Sequence, residues 1–416
     1  MQFLLILKII VLILNILMAI YGIYFLVVSL FPFKINKNKM QSEKFNKFAI
    51  IVAARNEENV IGNLIESLQA QNYPSDKYDI VVIPNNCNDN TEEISKSKGA
   101  IIINCDIPVK SKGEVISFAF KHIFENNDIY DAFCIIDADN LVHPGFLIEM
   151  NKELCKGTMV AQGYRDSKNP SDSWISSCHS IYYWSMNCFF NGVRKNNILS
   201  AEVNGTGFMV HCDIVKMHGW DTFSMTEDIE FSIHCALNDY KIAWVPRAIV
   251  YDEQPLGFKE SWKQRKRWST GTLQCLSAYS VPLIKSIFKR KSVRSLDMFI
   301  FLISPSIQVL GLINFLLYGI INLFVYKNNM DILLEKIFLP LVFSYLAFFC
   351  GCTLCIILEK KNFFKSFAGI ATFPIFILSW IPITIICIFK KSNVWEEIKH
   401  TRAIKITHIV PWLDEG

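Results

Sequence analysis

The chain has 416 residues, 51% of them hydrophobic, with a net charge of +4 and thirteen cysteines. So mild a charge gives no reason to expect a nucleic-acid partner, and an odd, irregularly spaced set of cysteines argues against a disulfide scaffold. The apolar excess gathers at the two ends, which excludes a purely soluble protein.

Residues 3–31 form one apolar stretch whose only charge is Lys8. It exceeds the roughly 20 residues that a helix needs to cross a bilayer. It is also too long for a usual signal-peptide core, and no small-x-small site follows, so residues 1–33 are predicted to be a retained anchor. Lys34, Lys37, Lys39, Lys44 and Lys47 come next. By the positive-inside rule they hold that end, and the central domain after it, in the cytoplasm.

The segment "KFAIIVAAR", 47–55, is a continuous apolar run of strand type. Val60, Ile61, Leu64, Ile65 and Leu68 then recur at helical spacing, and Asn56, Glu57 and Glu58 suit the helix start. "YDIVVIP" is a second buried strand, and it ends in the polar loop "NNCNDNT". A helix from near Thr91, a short strand at 100–103, a helix over about 113–124 and the strand "AFCII" continue the alternation. Apolar strands alternating with helices predict an α/β domain over 45–255, its mostly parallel sheet covered on both faces. Polar loops at the carboxyl ends of such strands share one rim, where open α/β sheets bind ligands. No G-x-G-x-x-G and no G-x-x-x-x-G-K is present, so neither a standard dinucleotide fold nor a P-loop is expected.

The strand "AFCII" runs into Asp137-Ala138-Asp139. Two carboxylates spaced this way can reach one hard cation, and magnesium and manganese suit such oxygen sites. The plainer reading is a solvated turn with an aspartate capping the next helix. "SMTEDIEFSIHCAL", 224–237, is predicted to open a helix with Thr226 as N-cap and Glu227 and Asp228 in its first turn. The helix field alone explains those acids; a carboxylate facing the rim can also act as a general base.

"WKQRKRWSTG", 262–271, is basic and flanked by tryptophans, which predicts amphipathic helices at the inner membrane surface over 256–295. Trp262, Arg265 and Ser269 are expected on one side, with Gln264, Arg267 and Trp268 turned toward the rim. Three more apolar stretches, near 296–325, 337–358 and 366–389, make a C-terminal bundle over 296–390 before a basic tail, 391–416. Cys350, Cys352 and Cys355 fall inside that bundle and read as small packing residues. Four simple crossings would send the C-terminus outside. Yet Lys390, Lys391, Lys399, Arg402 and Lys405 prefer the inside. The stretch 366–389, interrupted by Pro374 and Pro382, is therefore a candidate re-entrant pair.

In order along the chain, "IIVAARNEENVI", "DAD", "TED" and "QRKRW" resemble the motifs of the family-2 glycosyltransferases, in the branch of membrane-integrated polysaccharide synthases. Cellulose, hyaluronan, chitin-oligosaccharide and poly-N-acetylglucosamine synthases share this plan, as do some lipid glucosyltransferases. The resemblance implies a Rossmann-like GT-A fold and inverting transfer from a nucleoside-diphosphate sugar. It implies that Asp139, with Asp137, holds Mg2+ or Mn2+, and that Asp228, beside Glu227, is the catalytic base. Ala54, Arg55, Glu57, Asn85, Asp89, Lys112 and Asp137 would line the nucleotide sugar. Gln264, Arg267 and Trp268 would meet the diphosphate and acceptor, and Gly205-Thr206-Gly207 would let backbone approach the sugars. One departure is the loop after the second strand, where Pro84-Asn85 replaces the acidic pair usual in the family. An Asn carbonyl still accepts a hydrogen bond, less strongly than a carboxylate, and UDP remains the expected nucleotide.

Two acceptors fit these features: a growing β-linked polysaccharide, or a lipid that receives one sugar. A multi-pass enzyme of the plasma or inner membrane is expected, with room for an accessory membrane subunit. A proton- or ion-coupled transporter is disfavoured, because the apolar stretches lack the acids and bases such coupling uses.

Overall fold

The computed structural model describes residues 2–29, 44–126, 129–195, 198–390 and 402–410. Lys34, Lys37, Lys39, Lys391 and Lys399, on which part of the topology argument rests, lie outside the described residues, as does most of the tail 391–416.

Helix α1 (Gln2–Ser29) carries mostly exposed apolar side chains and at 28 residues is about 42 Å long. The chain then enters an eight-stranded sheet of order β3-β2-β1-β4-β7-β6-β8-β5. Strands β1 (Phe48–Ala54), β2 (Tyr78–Pro84), β3 (Ile101–Ile102) and β4 (Ala132–Ile135) pair in parallel. Past β4 the sheet becomes mixed. Here β7 (Phe208–His211) runs antiparallel to both β4 and β6 (Val160–Ser167). Next, β8 (Ile242–Asp252) pairs parallel with β6, and β5 (Leu141–Val142) closes the edge antiparallel to β8. Two reversals restore the original direction. The carboxyl ends of β1, β4, β6 and β8 and the amino end of β7 therefore share one rim.

Alternation along β1 builds two cores. Phe48, Ile50, Val52 and Ala54 face helices α2 (Ile61–Gln69), α3 (Thr91–Ser97) and α5 (Phe146–Leu154). Ala49, Ile51 and Ala53 face α4 (Lys112–Glu125), α6 (Trp174–Ser185), α8 (Cys212–His218) and α9 (Glu227–Leu237). A π-turn at Met186–Asn191 links α6 to the short α7 (Gly192–Arg194).

Helix α10 (Phe258–Arg290) is one 33-residue element, followed by α11 (Val293–Leu302), α12 (Ser304–Tyr326), α13 (Met330–Leu358), α14 (Phe363–Leu378) and α15 (Trp380–Phe389). Helices α1, α12 and α13 and the combined stretch Phe363–Phe389 are each long and apolar enough to span a bilayer. Even so, the bundle does not hang beneath a separate domain. Cys355 and Ile356 of α13 and Ile370 and Phe376 of α14 belong to the same buried cluster as Ile181 of α6. A side chain at Gly369 would collide with Ser177, so α14 lies backbone-close on α6. The far end of α15 also returns to α10, where Cys387 Sγ meets Lys266 O at 3.6 Å.

Arg265 departs from the expected membrane-surface placement. It is fully buried, and its guanidinium donates to Phe376 O at 2.9 Å and Ser379 Oγ at 2.8 Å. At the break between α14 and α15 that carbonyl accepts from two side chains, Ser379 Oγ at 2.7 Å and Arg265.

Candidate active site

One cavity of about 440 Å³ runs along the rim and continues among the apolar helices, within the size range of small-molecule sites. Its first wall is the DAD turn. Asp137 N donates to Thr206 Oγ1 at 3.0 Å, Thr206 Oγ1 donates to Asn140 Oδ1 at 2.5 Å, and Asn140 Nδ2 donates to Asp139 Oδ1 at 3.1 Å. This relay orients the turn and leaves Asp137 and Asp139 on the cavity wall. Thr206 is fully buried; it positions the turn and does not itself line the cavity. Gly207 is packed on Val250 instead. Of the predicted triplet only Gly205 reaches the cavity. Its φ of +81° suits glycine, and a Cβ there would sit 3.2 Å from Asp228 Oδ2.

Lys112, first residue of α4, ties three motifs together. Its Nζ pairs with Asp137, lies 3.5 Å from Glu227 and donates to Gly205 O at 2.6 Å. Burial opposes its charge, but Asp137 and Glu227 outweigh burial and raise its pKa. Asp228 sits in the first turn of α9, its Oδ1 accepting from Ile229 N at 2.9 Å. Burial and the charge of Glu227 push it up to about 7, against the pull of Ile229 N, Lys112 and Arg165. Thr226 does occupy the N-cap position, but its side chain makes no capping bond.

Gln264, Arg267 and Trp268 of α10 all line the cavity. Trp268 stacks on Tyr182 (6.1 Å, 22°) and lies 5.9 Å from the Trp380 ring. Ser269, expected on the opposite side, also reaches the cavity and accepts from Trp380 Nε1 at 2.9 Å.

At the far end of the rim, Arg55 and Glu57 line the cavity and Ala54, Asn85 and Asp89 do not. Strand alternation turns Ala54 toward α2 and presents Ala53 in its place. Asn85 is buried and extends the sheet through a bridge to Cys105. Asp89 is taken up by the fold: Oδ1 accepts from Thr91 N and Oγ1 at 3.1 and 2.5 Å, and Oδ2 from Glu58 N at 3.1 Å.

Two groups escaped the sequence reading. Arg165, at the end of β6, donates from Nε to Asp252 Oδ2 at 2.8 Å and from Nη1 to Asn204 O at 2.6 Å. Burial lifts Asp252 to about 6 against the pull of Arg165. Glu202 is 3% exposed on the cavity wall. The only signal for Arg165 was a charged residue after the apolar start of a strand, which acquires meaning once the strand's direction is known.

A family model described as "Glycosyltransferase like family 2" matches residues 46–271. A probable glycosyltransferase, YdaM, of Bacillus subtilis is 27% identical over 389 residues, 89% of this chain and 87% of that protein. A poly-beta-1,6-N-acetyl-D-glucosamine synthase of Staphylococcus epidermidis is 26% identical over 282 residues, 64% of this chain and 66% of that enzyme. The chain thus spans just under two thirds of that synthase. Among solved structures, a mannosyltransferase of Pyrobaculum calidifontis, in complex with GDP-Man and Mn2+, superposes with a TM-score of 0.57 at 13% identity, over 92% of this chain and 98% of that one. That likeness is one of fold, and at 92% of this chain it takes in apolar helices as well as the GT-A domain.

Proposed function

The chain belongs to glycosyltransferase family 2, and on that premise we propose that it lengthens a β-linked polysaccharide by inverting transfer from a nucleoside-diphosphate sugar, UDP being the first nucleotide to test. The observation that carries this reading is the continuity of the cavity. A single space joins Arg55 and Asp139 at the rim to Asp228 and Trp268, and then to Tyr21 of α1 and Gln308 of α12. A space of that extent has room for a donor at the rim and for an acceptor among the apolar helices. The similarity to poly-N-acetylglucosamine synthases favours a polymer as product.

Asp228 would accept the proton of the acceptor hydroxyl as that oxygen bonds to the anomeric carbon and the bond to the diphosphate breaks. A pKa near 7 leaves the group basic enough to take a proton and often enough unprotonated to do so. Arg267 and Lys112 would hold the leaving diphosphate, and Trp268 would offer a ring face to the acceptor sugar. Asp137 and Asp139 fit a divalent ion: they are hard oxygen donors on the cavity wall, oriented by the Thr206–Asn140 relay. Mg2+ or Mn2+ bound there would neutralise charge building on the leaving group.

We place the catalytic domain in the cytoplasm, with three membrane crossings made by α1, α12 and α13. The stretch 363–389 would then be a re-entrant or interfacial pair. Tyr164 donates to Glu359 at 2.5 Å just before it, Cys387 touches Lys266 at its end, and Ile406 and Val410 pack on Leu141 and Tyr251 beyond it. All of these contacts are with the catalytic domain or α10.

The domain boundaries we propose are those set out from the sequence, with 256–295 holding α10 and the start of α11. A second reading, transfer of one sugar to a lipid, is favoured by the apolar lining at Phe25, Phe301 and Ile377. The test is product size from membranes given labelled UDP-glucose, UDP-N-acetylglucosamine and UDP-glucuronate with manganese or magnesium. Long glycosidase-sensitive chains support the synthase; label confined to one sugar on an extractable lipid supports the second reading.

A further inference from the structure

In the loop that leads to Asp228, successive backbone amides donate to side chains. Glu230 of α9 is fully buried and reaches back past the helix start. Its Oε2 accepts from Phe223 N at 3.0 Å and from Ser224 N at 2.8 Å. Gln274 of α10 takes the next amide, its Oε1 accepting from Met225 N at 3.0 Å. Ser224 Oγ then donates to Thr226 O at 3.0 Å. Because the Thr226 side chain makes no capping bond, Glu230 and Gln274 supply the order that an N-cap side chain usually gives.

Both grips lead to α10. The Tyr279 hydroxyl donates to Glu230 Oε1 at 2.7 Å and accepts from His234 Nε2 at 3.0 Å. Its ring stacks on Phe223 (6.1 Å, 28°). Gly271 lies backbone-close on Thr226, where a side chain would collide. Cys275 shares a buried cluster with Ile229, Ile233 and Ala236 of α9. Gly271, Gln274, Cys275 and Tyr279 recur at three- and four-residue spacing, so they share the face of α10 turned to α9. One turn before Gly271, the same helix carries Arg267 and Trp268 into the cavity. Gln274 and Tyr279 lie beyond residue 271, where the family match ends.

Resting on the assignment of Asp228 as the base, we propose that Gln274 and Tyr279 are positioning residues for transfer, fixing Asp228 relative to Arg267 and Trp268. Neither lines the cavity, so both act through the loop and Glu230. Apolar packing between α9 and α10 is non-directional and leaves their register loose. Hydrogen bonds to named amides set that register, because they weaken steeply away from their preferred distance and angle. A displacement of about 1 Å between reacting groups costs as much as ~100-fold in rate.

The test uses the full chain in lipid nanodiscs. Gln274→Met and Tyr279→Phe remove the hydrogen-bonding atoms and keep most of the volume. Turnover is measured per UDP-binding site, counted by calorimetry on the same samples, so unfolded protein does not enter. Each single variant is expected to lose roughly tenfold in kcat and the double variant about a hundredfold, with UDP affinity within about twofold of wild type. Gln274→Glu keeps an acceptor for Met225 N and should stay within about threefold of wild type. A merely structural role predicts a lowered Tm with kcat per site unchanged, and that result overturns the proposal. So does a loss confined to UDP affinity, or an equal fall in kcat for Gln274→Glu and Gln274→Met. Failure of the assignment beneath it appears separately, as near-normal turnover in Asp228→Asn.

Discussion

Arg194 and Asp297 meet fork to fork, Nε to Oδ2 at 2.8 Å and Nη2 to Oδ1 at 2.7 Å, with both side chains almost wholly buried. Tyr24 of α1 donates to the same carboxylate at 2.6 Å. One ion pair thus fastens α7 of the catalytic domain to α11 and to the N-terminal helix. Asp297→Ala strands a buried guanidinium and should destabilise the protein by about 3–5 kcal/mol, seen as a lowered Tm in nanodiscs. Arg194→Met with Asp297→Leu should recover most of that loss. Equal Tm values for Asp297→Ala and wild type would show that the pair is not a fastening.

Asp228→Asn should lower turnover about 100-fold or more, the scale for loss of a general base. Near-normal turnover removes Asp228 from that role.

The same carboxyl sets a pH dependence. Its pKa is raised to about 7, and the base must be unprotonated to work, so kcat/KM should rise with pH through that region and flatten above it. A profile flat from pH 5.5 to pH 8.5 (roughly a pKa unit and a half either side) contradicts the assignment.

Asp139→Ala should abolish metal-dependent nucleotide binding. Calorimetric titration of UDP with and without Mn2+ checks this, and an unchanged metal dependence would take Asp139 out of the cation site.

A protease site on a C-terminal tag should be cut from the same side as one in a loop of the catalytic domain. Protection of the tag while the loop is cut means that 363–389 crosses the membrane after all.

The parts of the site that lie in contiguous motifs were legible in the sequence: a buried strand running into Asp137 and Asp139, acids opening α9, and Gln264, Arg267 and Trp268 one helical turn apart. The apolar runs likewise marked β1, β2 and β4. What stayed hidden depends on relations between distant strands. Arg165 and Asp252 come to the rim only because β7 reverses twice between β4 and β6. Helical spacing separated Arg265 from Arg267 but could not say that α14, over a hundred residues later, would meet the first of them. Asp89 entered the expected site through the family resemblance alone, and its bonds to Thr91 and Glu58 leave no spacing in the sequence that would have corrected it.

The shared core of α6, α13 and α14 bears on how the protein is made. Ile181 and Cys178 emerge from the ribosome well before Ile356, Ile370 and Phe376, which complete their cluster. During synthesis the catalytic domain therefore carries an uncovered apolar flank, and that flank is sealed only after α13 and α14 have been made. Maturation of the enzyme is thereby tied to completion of its C-terminal apolar helices. A chain stopped after α10 should accumulate as an aggregation-prone species dependent on chaperones, even though it contains every motif named for catalysis.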